Sequence, residues 1–390
     1  AKPNVPNLRF PGFEGEWERQ SLGEVGEPFI GLTYSPSDVV SEGGTIVFRS
    51  SNIQNGEIDY SDIVRVNKKL KESIITRKDD LLICARNGSP RLIGKNALLK
   101  ESDANQTFGA FMLVYRSPYN HFIHQLLATK KYYSQVSENL GARINQITTA
   151  NIKEFEFFFP NGLEERDKIS KFLDLVDQRI AIQSRVIEDL KKLKAAIEDR
   201  CFNQFKGESV RLADILIERN EKSVRNNQYE VLSSTVSGIY SQREYFNKEI
   251  ASADNTGYKV IRRGDIVLSP QNLWMGNINY NDKFDIGIVS PSYKVFSIMP
   301  MFNKRFVASL LKSKKALWEY SLVSEQGASV VRRNLSTDGF MGIAFPIPDK
   351  EKQNMIGDMF AAVNNRIGLE KSILDDINKQ KFYLLNQLFI

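Results

Sequence analysis

Two histidines, two cysteines and a series of short polar loops are the places where this 390-residue sequence could carry chemistry. His121 and His124 stand in HFIHQ, and a His-x-x-His spacing can set two metal ligands on one helix face. No cysteine or carboxylate cluster nearby completes such a site, so a surface or half-buried pair is expected, with no metal. Cys84 and Cys201 lie inside apolar stretches and read as buried free thiols. The phosphate-cradling G-x-x-x-x-G-K-[ST] loop is absent, as is a G-x-G-x-x-G turn. There is no Pro-Pro for the amine-binding loop of amino-methyltransferases and no serine in a nucleophile-elbow context. No catalytic residue is expected; any reaction belongs to a partner.

What the chain positions is therefore of more interest than what it reacts with. A composition of 42% hydrophobic and 26% charged residues is ordinary for a soluble protein, and the length suits two or three domains. No apolar run approaches the roughly 20 residues of a membrane span. The opening AKPNVPNLRFPGFEGEWE lacks the apolar core of a signal peptide, so a cytoplasmic location is expected. A net charge of +6 with a pI near 9.0 is compatible with a polyanionic partner without demanding one.

The sequence repeats itself. RVIEDLKKLKAAIEDRCF from Arg185 matches SILDDINKQKFYLLNQLF from Ser372 when the second is slid back by 187 positions. RKDDLLICARN matches RRGDIVLSPQN, equating Asp80 with Asp265 and Asn87 with Asn272. Lys130 and Lys131 fall on Lys314 and Lys315, and Gly141-Ala142 on Gly327-Ala328. A proline, Pro160 or Pro346 and Pro348, precedes each closing helix. Runs such as TIVFRS, DLLICA, FMLVYR, DIVLSP and YKVFSI have strand-like length and content, with Gly, Asn, Ser and Pro between them.

These signals predict an α+β fold of two tandem β-rich domains, each followed by a long helix, the two helices pairing as an antiparallel coiled coil. The expected division is an N-terminal arm over 1–16, domains over 17–160 and 207–347, and helices over 161–206 and 348–390. Heptad seams run through Ile169, Leu173, Val176, Ile180, Gln183, Ile187, Leu190, Lys194, Ile197 and Cys201. In the second helix they run through Ile356, Phe360, Val363, Ile367, Glu370, Leu374, Ile377, Lys381, Leu384 and Leu388. Each helix would be about 60 Å long. An antiparallel pairing would set Lys194 against Glu370 and Gln183 against Lys381.

Several stretches carry a resemblance. LRFPGFEGEWERQSLGEV, the DDLLICARNG and GDIVLS strand-loop pairs, and FPIPDKEKQNMIGDMFAAVNNRI are similar to the specificity subunits of type I DNA restriction-modification systems. The first copy departs in having Glu165-Arg166 where Glu-Gln is common; the second has Asn364 where the first has Asp177. Both departures are expected to tune partner docking. The resemblance covers the whole chain, and the order of motifs, given twice, is its specific part. It implies two target-recognition domains reading the halves of a split, asymmetric double-stranded DNA sequence. The helices would hold the domains apart and bind two adenine-methylating modification subunits. Through these would come restriction (translocase and nuclease) subunits. Cofactors, S-adenosylmethionine, ATP and Mg, would belong to those partners and not to this chain.

On that reading the foremost base-reading loops are ARNGSPRLIGK, with Arg86, Asn87, Arg91 and Lys95, and SPQNLWMGNINYNDK, with Gln271, Asn272, Trp274, Asn277 and Lys283. Further candidates are Thr33, Tyr34, Arg49, Ser51 and Asn52 in the first half and Ser234 and Thr235 in the second. Lys130-Lys131 and Lys314-Lys315 are expected as phosphate clamps, and Arg143, Arg332 and Arg333 as phosphate contacts. The rival reading is a protein-binding scaffold with duplicated domains.

Overall fold

In the computed structural model, residues 4–140, 145–203, 207–246, 254–326 and 333–390 are described. The candidates Arg143 and Arg332, and both Gly-Ala pairs, lie outside them. The chain forms two compact units, Ala1–Ser184 with Ile373–Ile390, and Arg185–Ser372. Each unit thus combines one β-rich domain with a half of each long helix, a division that cuts across the helices and not at their ends.

Unit 1 is built around strand Leu81–Cys84, every residue of which is buried. It lies between antiparallel neighbours Met112–Arg116 and Asn96–Leu98, with Glu27–Ile30 at the far edge. Side chains alternate across a strand, so Leu81, Ile83, Leu113 and Tyr115 enter the core shared with the helices. Leu82, Cys84, Met112 and Val114 enter a second core against Ile46, Phe48 and Phe108. Burial on both faces explains why LLIC is a continuous apolar run. It also pushes the Cys84 thiol up to about 11. Unit 2 repeats the strand order, Leu216–Arg219, Lys294–Ile298, Ile266–Leu268 and Ile278–Tyr280. In both units a strand pair beside the long helices, Glu18–Ser21 with Glu156–Phe159 or Glu208–Arg211 with Ala344–Ile347, completes the plan.

The aspartates equated by the repeat anchor the same turn in each unit. Asp80 and Asp265 are both 3% exposed. Asp80 accepts a hydrogen bond from the Arg77 N–H at 2.9 Å, and Asp265 from the Arg262 N–H at 2.7 Å. The residue before each aspartate takes a left-handed backbone: Gly264 has φ +96°, and Asp79, a type that tolerates this region, has φ +64°. The counterions differ. Arg116 donates to both Asp80 oxygens, and Arg219 to both Asp265 oxygens. By strand register Arg116 corresponds to Ser297, and Arg219 to Phe29.

The long helices, Leu163–Phe202 and Lys350–Leu388, contain 40 and 39 residues. Every seam position named from the heptads is buried or half-buried. In unit 1, Ile169 and Leu173 share a core with Leu385 and Leu388. In unit 2, Phe202 stacks on Phe360 with centroids 5.5 Å apart, beside Ile197 and Ile356. Rising numbers on one helix meet falling numbers on the other, so the pairing is antiparallel. Its polar positions bring in carboxylates outside the heptad seams. Lys381 forms an ion pair with Asp177. Burial lowers the Lys194 pKa, against the pull of Glu198 and with the push of Lys371, and Glu370 binds Arg366 at 2.5 Å. The carboxylate beside the half-buried Lys381 ammonium offsets its desolvation.

The departures at Glu165-Arg166 also prove internal. Glu165, 2% exposed, holds Arg9 at 2.8 Å through both oxygens. Arg166 donates to the Pro160 carbonyl at 2.8 Å, the bond that Gln353 makes to Pro348, also at 2.8 Å. An arginine and a glutamine thus tie each proline to its helix, and neither side chain is offered to a partner.

Candidate nucleic-acid interface

The first reader loop leaves strand Leu81–Cys84 and returns through Asn96–Leu98. Its base is closed by Cys84 N–H to the Lys95 carbonyl and Gly94 N–H to the Cys84 carbonyl, each 2.8 Å. Gly94, at φ +84°, makes that closure possible. Arg86, Arg91 and the loop apex are exposed, and Lys95 is half-buried. The side chains of Arg86 and Arg91 make no hydrogen bond or ion pair among the described residues, which leaves both guanidiniums for an outside anion. Asn87 shapes the loop: its amide donates to Ser50 Oγ at 3.0 Å and its oxygen accepts from the Ser89 N–H at 3.0 Å.

The second reader loop leaves strand Ile266–Leu268 as the 3-10 turn Pro270–Met275, stopped by Gly276 at φ +90°. Gln271 is exposed and Asn272 half-buried. Trp274 is half-buried under the Arg333 guanidinium, 4.3 Å from the ring centroid. Lys283 is exposed, its ammonium 5.3 Å from the Tyr240 ring.

Several candidates are spent inside the fold. Asn277 and Ser234, 5% and 3% exposed, bond each other at 2.8 Å, and Asn279 joins them at 2.7 Å. Asn52, 1% exposed, donates to the Asp59 and Asp62 carbonyls and accepts from the Arg49 N–H. None of the three offers an edge to a base. Small polar side chains at strand ends close turns, and once buried they must satisfy their hydrogen bonds internally. Arg49 pairs with Asp62 at 2.9 Å. Thr33 and Ser51 are exposed, Tyr34 packs against Leu32, Val47 and Val66, and Thr235 bonds Ser237 at 3.1 Å.

Two of the four paired lysines turn to main-chain carbonyls. Lys131 donates to the Ile390 carbonyl at 3.4 Å and lies 4.6 Å from the Phe158 ring. Lys315 donates to the Phe202 carbonyl at 3.1 Å. Lys315 therefore caps the C-terminal end of helix Leu163–Phe202, where carbonyls lack partners and the dipole favours a cation, and Lys131 meets the main chain two residues beyond Leu388. Lys130 lies over Phe382, and the Lys314 N–H donates to Glu198. Replacing Lys131 or Lys315 with methionine is expected to cost about 0.5–1 kcal/mol of stability. The slope of DNA affinity against salt should not change, whereas loss of a phosphate contact would flatten it by about 0.9. Binding titrations between 50 and 200 mM salt, about a tenfold change in affinity per lost contact at most, separate the two roles.

The histidines join the first domain to its helix segment. His121 bridges Asp174 at 3.1 Å and Asp79 at 3.2 Å, and His124 contacts Asn96 at 3.2 Å. Gln125 donates to Asp174 and Asp177, each at 3.0 Å. Among the described residues no group of three or more His, Cys, Asp or Glu could hold a metal ion. The hydrogen bond from Asp174 raises the His121 pKa above 6.5. Burial lowers that of His124 to about 4, against the pull of Asp177 and Asp174 and with the push of Lys381 and His121. The unfolded chain then takes up the His124 proton first, so stability falls as pH drops from about 6.5 to about 4. His121 works in the other window: its contribution is present below 6.5 and is lost as pH rises through its raised value. Urea midpoints of unit 1 across pH 4 to 8, about a dozen points, should show His124→Gln abolishing the acid loss and His121→Gln the alkaline one.

Sequence reasoning missed Phe111, which was read as the start of the FMLVYR strand but is 57% exposed. Gly109-Ala110 immediately before it was the available signal of a turn. It also missed Arg116 and Arg219 as counterions.

Two α+β units of one strand order, each with a polar loop beyond an aspartate-anchored strand pair, define a duplicated fold. Comparison with known proteins finds similarity over part of the chain. Residues 14–192 match the model of the type I restriction modification DNA specificity domain. The specificity subunit of the type I restriction enzyme EcoKI from Escherichia coli K12 is 29% identical over 192 residues, 46% of this chain and 41% of its own. That of StySPI from Salmonella potsdam is 27% identical over 194 residues, again 46% and 41%. The match thus spans less than half the length of these relatives. The crystal structure of the type I S subunit from M. genitalium covers 99% of both chains with a TM-score of 0.63 at 18% identity, a likeness of fold. Over residues 14–192 the chain is similar to the type I specificity subunits its motifs resemble. Among its described residues no helix is long and apolar enough to cross a membrane.

Proposed function

We propose that this chain is the DNA-recognition subunit of a type I restriction-modification complex. Each unit reads one part of a gapped, asymmetric duplex target through its strand-end loop, Arg86–Lys95 in one and Gln271–Lys283 in the other. The observation that carries the reading is the duplication of an anchored scaffold under two dissimilar loops. Asp80 and Asp265 hold the same turn, while the loops beyond differ in charge and in aromatic content. Two readers with different surfaces suit a target with different halves.

The chain itself is non-catalytic on this reading. It positions two modification subunits, each carrying S-adenosylmethionine, over an adenine in either half-site, with the base flipped out for reaction. Restriction subunits, with their ATP and Mg, join through these partners. Apolar side chains left exposed on the long helices, Leu175 at 62% and Tyr383 at 61% in unit 1 and Met355 at 65% and Leu369 at 54% in unit 2, support docking of partner helices there.

The test is genome-wide mapping of N6-methyladenine in cells making this chain with its cognate modification subunit. One gapped, asymmetric motif methylated on both strands is expected. A stable complex that methylates no motif would overturn the reading in favour of a protein scaffold.

A further inference from the structure

Phe111 sits at the tip of unit 1 on a backbone that is fixed on every side. Its carbonyl accepts hydrogen bonds from the N–H groups of Ala85 at 2.9 Å and Arg86 at 3.0 Å. The turn leading to it is held by Gly109 N–H to the Phe48 carbonyl and Ala110 N–H to the Leu32 carbonyl, each 2.9 Å, and by Met112 N–H to the Gly109 carbonyl at 2.8 Å. The 57% exposure of the ring is therefore built into the turn and is not the accident of a loose loop. A phenylalanine so placed gives up most of the stabilisation its burial would bring. The neighbouring strand residues Met112, Leu113, Val114 and Tyr115 are all at or below 1% exposure.

One face of the ring is occupied. The Arg86 guanidinium lies 4.9 Å from its centroid. Arg86 makes no ion pair among the described residues, in contrast to Arg49, Arg116, Arg219 and Arg262, each of which holds a carboxylate. The pair thus offers a free aromatic face and edge next to an uncommitted cation. The chemistry that satisfies both at once is an anion joined to a flat, stacking ring, which is the chemistry of a nucleotide. Trp274 with Arg333 is the comparable pair in unit 2, but that ring is half-buried and its surface is used within the domain.

We propose that Phe111 stacks on a base of the target at an opened base step, with Arg86 turned to the adjoining phosphate. The pair would then read that step through the ease with which it unstacks. Pyrimidine–purine steps open most readily, so one such step is expected in the half-site read by this unit. The inference rests on the DNA-recognition reading above and adds to it a residue and a mode of readout.

The test uses the full chain assembled with its modification subunit, on duplexes carrying the mapped target and each single base-pair change in it. Phe111→Ala is expected to weaken cognate binding about tenfold. It should flatten discrimination at one base step and abolish the fluorescence rise of 2-aminopurine placed at that step. Preferences in the other half-site and the salt slope should stay as in the wild type. Phe111→Tyr should retain all of these properties, and an unchanged urea midpoint for Phe111→Ala would exclude misfolding as the cause. Equal discrimination by wild type and Phe111→Ala would overturn the inference alone. So would a loss reproduced in full by replacing one thymine with uracil, which would mark a methyl contact in place of stacking. A wild-type complex without any sequence preference would sink the recognition reading, and this inference with it.

Discussion

Asp80→Ala is expected to destabilise unit 1 by about 3–5 kcal/mol, a large share of the roughly 5–15 kcal/mol that holds a domain folded. The substitution strands the Arg116 guanidinium, whose side chain is only 15% exposed and has no other carboxylate among the described ion pairs. It also removes the acceptor for the Arg77 N–H. Asp265→Ala should cost unit 2 less, by about 1 kcal/mol or more. Arg219 keeps Glu221 at 2.7 Å as a second counterion and is itself 25% exposed. Urea unfolding can follow the first unit through Trp17, since the other two tryptophans, Trp274 and Trp318, belong to unit 2. The double variant Asp80→Leu with Arg116→Met should recover most of the loss, because replacing a buried pair with apolar groups is often close to neutral. If Asp80→Ala unfolds with the wild-type midpoint, the buried pair is not what holds the turn.

Arg91→Ala combined with Lys95→Ala is expected to lower affinity for target DNA about a hundredfold at 150 mM salt, through two lost phosphate contacts. The slope of log affinity against log salt should flatten by about 1.8. The ranking of DNA sequences should survive, because phosphate contacts position the protein while base contacts select. Both residues belong to a loop whose ends are closed by backbone bonds, so the fold should be unaffected. Titration of the reconstituted complex at four or so salt concentrations would decide it. Affinity lost with no change of slope would mean that these side chains do not meet phosphates.

The parts of the fold legible in the sequence were those governed by periodicity and duplication. The heptad seams named the buried face of both helices because burial on a long helix follows its repeat. Asp80 and Asp265 could be equated because the repeat keeps the acid that accepts the N–H three residues earlier and closes the same turn. The partners of those elements were hidden. Arg116 and Arg219 lie on different strands of the repeat, so no alignment of the halves links them. The pairing of Lys381 with Asp177 depends on how the helices pack and not on their spacing. At the interface, composition alone made Asn52, Ser234 and Asn277 look like base readers. The same hydrogen-bonding capacity that suits a base edge also suits a buried turn, and burial decides between them. Lys131 and Lys315 misled for a related reason: a basic pair serves a carbonyl cap as well as a phosphate. Phe111 was overlooked because an apolar residue beside a strand is ordinarily core.

The counterions of the two anchoring aspartates have a bearing on how such chains can be recombined. Each acid and its arginine travel within one half, so a whole domain can be transplanted with its charges balanced. A crossover inside the sheet has no such protection. Joining the front of the first half, with Phe29 and Asp80, to the back of the second, with Ser297, would bury an acid without any arginine. The reciprocal hybrid would crowd Arg219 and Arg116 around the single carboxylate of Asp265. Viable exchanges should therefore fall at the domain margins, and a new binding specificity should be inherited as an indivisible block.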